Sequence, residues 1–178
     1  MSKSPDVDGL RVATFGALAS RPTATLPQGD AEPLFTITGG RVMVNLLIGV
    51  VTVAVENVTV NTRLRFKPDA AADTPTDLCA VTDLDNIGVG RYLSLDQAVA
   101  DTLLLIEDSG EPGDLIPTHP GWLLGPGEII FNCDASPTGS IQWDLFYIAL
   151  DGGAVATANT AGGFAVSATS HYSSQDLT

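Results

Sequence analysis

The chain has 178 residues, 8 basic and 21 acidic side chains, and a formal charge of -13 at pH 7. That length suits one domain with arms, and 44 % hydrophobic content excludes a wholly unfolded chain. The negative charge argues against nucleic acid and anionic membranes as partners.

Only 16 % of residues are charged, below the usual ~25 %, so part of the surface is expected to be covered by something. The charge is lopsided. Up to Arg91 there are 8 cations and 10 acids; beyond it there are 11 acids and no Lys or Arg. Asp6, Asp8 and Arg11 interrupt any signal-peptide core. The most apolar run, Val42 to Val55, is short of the ~20 residues a membrane helix needs and is rich in strand-forming Val and Ile.

Composition divides the chain into three zones. Residues 1–33, with Pro5, Pro22, Pro27 and Pro33, read as an N-terminal arm. Residues 34–150 hold the apolar pattern and read as the folded domain. Residues 151–178, where Gly, Ala, Ser and Thr fill 18 of 28 positions, read as a C-terminal extended arm.

In chain order, Leu34 to Thr38 and the run from Arg41 flank Gly39-Gly40, a tight hairpin whose two turn positions need positive φ. From Val42 the even positions Val42, Val44, Leu46, Ile48 and Val50 form one apolar face. Val58 to Lys67 alternates cleanly: Val58, Val60, Leu64 and Phe66 on one side, Arg63, Arg65 and Lys67 on the other. Further strands are expected at Leu78–Val81, Gly90–Leu93, Trp122–Leu124 and Glu128–Cys133, with turns at Glu111-Pro112-Gly113-Asp114 and Gly125-Pro126-Gly127. Ser94 with Gln97 fits a capping box, and Leu95, Val99, Leu103 and Ile106 fit one helical stripe, so one short helix is admitted; a buried strand at Leu103–Ile106 competes with it.

The last strand, Ser140 to Leu150, has Ile141, Trp143, Leu145, Tyr147 and Ala149 on one face. Its other face turns apolar at Phe146, Ile148 and Leu150. A strand apolar on both faces is covered on both, here by the chain's own arm or by a neighbouring subunit. Short strands, turn signals and few helices predict an all-β protein: an antiparallel β-sandwich, jelly-roll-like as first choice.

The scan for chemistry finds little. His119 and His171 lack a nucleophile partner, and no Gly-x-Ser-x-Gly or phosphate-cradling loop occurs. Asp83 and Asp85, and the acidic stretch Glu107, Asp108, Glu111 and Asp114, are oxygen-rich but lack EF-hand spacing. Cys79 and Cys133 read as buried free thiols, with a single disulfide as the alternative. No enzyme, metal or cofactor is expected. The row Arg63, Arg65 and Lys67 reads either as a solvated face or as a strip that docks on acidic surface of a neighbouring copy.

The run Leu34 to Val42, then Asp77-Leu78-Cys79-Ala80, then Gly139 to Ala154 with its Trp-x-Leu-x-Tyr-x-x-Leu strand and Asp-Gly, resembles small β-rich virion structural proteins of tailed bacteriophages. The resemblance implies a capsid decoration (cement) protein on the outer surface of the shell, present in host cytoplasm during assembly. Its partners would be the major capsid protein and itself, as a homotrimer. A tail or head-fibre protein that binds a host receptor or carbohydrate is the alternative. Candidate subunit contacts are Arg63, Arg65, Lys67, Phe146, Ile148, Leu150, Phe164 and Tyr172. The tail's sparse anchors, Val155, Phe164, Val166, Tyr172 and Leu177, suggest a strap that adds a strand to a neighbour's sheet edge. On that reading, removing 152–178 leaves the domain folded.

Overall fold

The structure, a computed structural model, describes residues 14–56, 59–70, 74–95, 105–107, 121–160 and 165–166. The regular elements among them are strands: β1 (Ala17–Thr25), β2 (Ala31–Thr38), β3 (Val42–Val53), β4 (Asn61–Pro68), β5 (Thr76–Asp77), β6 (Thr82–Asp83), β7 (Tyr92–Ser94), β8 (Leu105–Glu107), β9 (Trp122–Leu124), β10 (Gly127–Cys133), β11 (Ser140–Ala149), β12 (Val155–Asn159) and β13 (Ala165–Val166).

They form two antiparallel sheets. Sheet A runs β1-β11-β3-β7-β8, with β9 also paired to β3; sheet B runs β13-β12-β2-β10-β4-β5, with β6 also paired to β4. The pairings nest: β1 with β11, β2 with β10, β3 with β7 and β9, β4 with β5 and β6. A long hairpin folded over on itself in this order is a jelly roll. The expected all-β sandwich and its first-choice topology are both present.

The sandwich interior is filled by large side chains from both sheets, among them Trp143, Phe35, Phe131, Leu34, Leu64 and Ile129. The Phe131 and Trp143 rings meet across the two sheets at 5.3 Å between centroids, tilted by 58°, within the range of favourable aromatic contacts. Gly49 lies opposite Trp143 in the β3–β11 register, and a Cβ there would sit 2.9 Å from the indole. The missing side chain makes room for the tryptophan.

The domain is wider than the 34–150 limits read from composition. At the N-terminal side β1 pairs along β11 as the edge of sheet A. Pro22 hid this strand, but an edge strand tolerates proline, and the register shifts between Arg21 and Ala24, beside it. At the C-terminal side β12 pairs with β2, and Ala154, Ala156 and Ala158 belong to the core. The strap reading of residues 151–178 is corrected to this extent: its first part is a strand of the chain's own sheet. The buried Arg21 reaches the end of this strand. Arg21 is 2 % exposed, donates from Nε to the Asn159 carbonyl at 2.8 Å, and pairs through Nη2 with Glu32. This ion pair ties sheet A to sheet B at the open side of the sandwich. Phe164, Tyr172 and Leu177 lie outside the described residues.

The single apolar face expected along β3 is also corrected. The β3–β11 register shifts between Phe146 and Tyr147: Phe146 faces Leu46, while Tyr147 faces Val44, leaving Asn45 as the extra residue. A one-residue bulge moves every later side chain to the other face. Val42 and Val44 therefore point inward, followed by Leu47 and Val51, while Leu46, Ile48 and Val50 face outward.

Elsewhere the differences are local. Leu78–Val81 is no strand of its own but the link between β5 and β6. Cys79 Sγ accepts the Leu64 amide at 3.1 Å, so a side chain substitutes for a ladder bond. Ser94 and Ile106, expected near the ends of a helix, lie instead in the paired strands β7 and β8, which favours the competing strand reading there; residues 96–104 lie outside the described set. The Gly39-Gly40 turn has φ of 73° and 145°, as the hairpin required. A Cβ on Gly39 would strike the Gly153 carbonyl at 2.2 Å, because the turn packs against the loop after β11.

Candidate interaction face

The two outer faces of the sandwich differ in chemistry. On sheet B, β4 presents Arg63, Arg65 and Lys67 outward beside Glu128 and Asn132 of β10. Asp77 of β5 accepts from Arg63 Nη1 at 3.2 Å and from Arg65 Nε at 2.7 Å, and Arg65 Nη2 donates to the Pro75 carbonyl at 3.0 Å. Two of the three charges of the basic row are thus engaged within the chain. Lys67 is exposed and has no ion pair among the described residues. Sheet B presents a polar outer face with paired charges.

Sheet A is the opposite. One row across its outer face is Leu18, Phe146 and Leu46, from β1, β11 and β3. The next is Ile148, Met43 and Leu123, from β11, β3 and β9. Leu123 is 60 % exposed and Ile148 40 %, values typical of polar surface rather than of large aliphatic groups. Phe15 lies on Phe146, 5.8 Å between ring centroids, and its carbonyl accepts from Asn45 Nδ2 at 3.0 Å. Leu150, just past β11, is also exposed. Behind the apolar rows Ser20, Asp144, Ile48 and Ser94 form a third row. Asp144 is the one charged side chain in these three rows, and its Oδ1 is buried with no hydrogen-bond partner among the described residues; Arg41 lies at their end, where its carbonyl accepts the Leu150 amide.

Of the candidate contact residues, the structure places Phe146 and Ile148 together on the outer face of sheet A, with Leu150 following. It places Arg63, Arg65 and Lys67 on the opposite sheet. Phe164 and Tyr172 lie outside the described residues. Phe15, Leu18, Met43 and Leu123 were not singled out by sequence, and Leu46 was expected on the same face as Val42 and Val44. Alternation around Leu123, between inward Trp122 and Leu124, would have shown an outward leucine; the outward turn of Leu46 depended on the Asn45 bulge.

Several titratable groups among the described residues are engaged in structure. Asp151 accepts from the Arg41 amide at 2.8 Å, from Nε at 2.9 Å and from Nη2 at 2.8 Å. These bonds, and the guanidinium charge behind them, hold its carboxyl well below the ordinary carboxylate range and raise Arg41 further. Both thiols are free and buried. Burial pushes Cys133 up to about 12 and raises Cys79, which keeps both neutral and poor as nucleophiles. Asp83 Oδ1 accepts the Val60 amide at 3.1 Å and the Asp85 amide at 3.0 Å, so it caps backbone. Among the described residues no three His, Cys, Asp or Glu stand close enough to hold a metal ion. His119, His171, Asp108, Glu111 and Asp114 lie outside them.

No protein-family model matches the chain, and no curated protein matches its sequence.

Proposed function

We propose that the chain is a non-enzymatic structural protein of a virion, of the capsid decoration (cement) type, acting on the outer surface of the shell. One observation carries the reading: the sandwich is two-sided, with an apolar outer face on sheet A and a charge-paired polar face on sheet B. A body of this kind is covered on one side within an assembly and meets water on the other. Jelly rolls serve viral capsid proteins as well as lectins and cupins, so the fold is compatible with the role without selecting it. The charge of -13 suits the outside of a shell, away from packaged nucleic acid. The resemblance of the β2–β3 hairpin and of β11 with its Asp-Gly turn to phage virion proteins supplies the rest.

The test is to label the protein in purified virions of the virus that encodes it and count copies by electron microscopy. Hundreds of copies spread over the shell are expected. A few copies confined to the tail, or none in the particle, would overturn the proposal.

A further inference from the structure

We infer that the apolar outer face of sheet A is covered by a second copy of this same chain. The inference does not depend on the virion reading; it concerns what lies on the face, whatever the assembled protein does.

Charge speaks first. Each copy carries -13, so two copies repel wherever their acids approach. The three rows Leu18–Phe146–Leu46, Ile148–Met43–Leu123 and Ser20–Asp144–Ile48–Ser94 carry Asp144 as their one charged side chain, so that repulsion is small there. A basic partner would be met by a cluster of acids, and an acidic partner by a cluster of cations. The face offers neither. Its chemistry matches a surface like itself.

Shape and size agree. Sheet faces stack about 10 Å apart when apolar rows from both interdigitate, the arrangement already used inside this sandwich. Strands β1, β11 and β3 have 9, 10 and 12 residues, with β7 and β9 sharing the next position. Four strand widths of ~4.8 Å and a length of roughly 30 Å give on the order of 600 Å² of flat sheet. Side-chain relief adds to it, which brings the face close to the ~800 Å² per partner of a stable interface.

The experiment is sedimentation velocity of the full chain from 1 to 50 μM, wild type against four single substitutions. Leu123→Asp and Ile148→Asp alter the face. Val81→Asp and Val89→Asp alter equally exposed valines elsewhere, 49 % and 63 % exposed. All four positions are open to solvent in the single chain, so circular dichroism should show folded protein in each case. The wild type is expected at a multiple of 18.4 kDa. Leu123→Asp and Ile148→Asp are expected to weaken association by on the order of 100-fold, while the two controls assemble like wild type. A wild type that sediments as one chain throughout would overturn the inference, whether the face is covered by the chain's own residues outside the described set or not at all. Equal assembly of the face and control variants would overturn it as well, since association would then use another surface.

Discussion

Replacing Gly49 with alanine tests the packing that sets the two faces of β3. The added Cβ would lie 2.9 Å from Trp143 Cζ3 and 3.0 Å from Cε3 and Cη2. The indole has nowhere to retreat: Trp143 and Phe131 are each 1 % exposed, and their rings already touch. Overpacking of this kind costs about 1–3 kcal/mol. At roughly 2–4 °C per kcal/mol for a chain of this size, Gly49→Ala should lower Tm by about 2–12 °C. Trp143→Phe, which shortens the ring, should by itself destabilise by leaving a void. The double variant should lose less than the two single losses combined, with a coupling of about 0.5–3 kcal/mol. Urea denaturation followed by far-ultraviolet circular dichroism measures all four corners of this cycle. A Gly49→Ala change within about 0.5 kcal/mol of wild type, or strict additivity, would refute the close packing of Gly49 on Trp143.

Two further outcomes are expected. A chain ending at residue 160 should keep the domain folded, whereas one ending at 151 should lose on the order of 3 kcal/mol or more, because β12 covers core side chains worth about 1.5–3 kcal/mol each and accepts from Arg21. Equal urea midpoints for the two truncations would show that β12 contributes nothing. The Arg41–Asp151 contact should show its sign in acid. The folded carboxyl titrates below its unfolded value of ~3.9, so its stabilisation is fully present above that pH and is lost as pH falls through the folded value. The Tm gap between wild type and Arg41→Ala should therefore shrink below about pH 4; a gap that stays constant from pH 7 to pH 2 would contradict the pairing.

What the sequence revealed, and what it hid, follows from how each strand is buried. β10 and β11 carry large apolar groups on their inner faces, and the Gly39-Gly40 turn announces its hairpin, so their places were plain. The row Arg63, Arg65 and Lys67 was correctly put on one strand face, but its partner Asp77 comes from a two-residue strand too short to leave a periodic signal. β1 and β12 escaped notice for opposite reasons. One contains a proline and a buried arginine, and the other buries only alanines, so neither has the bulk that marks a core strand. The outer apolar face was half visible, in the two-sided pattern of β11. Its β3 half was concealed by the Asn45 bulge, which is a property of pairing between strands and not of either strand alone.

The most direct measurement of what covers sheet A is the reactivity of a single introduced thiol. Cys79 and Cys133 are buried and kept neutral, so at neutral pH they should stay silent toward a maleimide reagent. Leu123→Cys places a thiol on the outer face of sheet A, and Val89→Cys places one on exposed surface in the turn before β7, outside the apolar rows. At tens of micromolar protein, the thiol at 123 should react at least tenfold more slowly than the thiol at 89, and it should regain speed on dilution as copies separate. Equal reaction rates for the two thiols at every concentration would contradict the covered face.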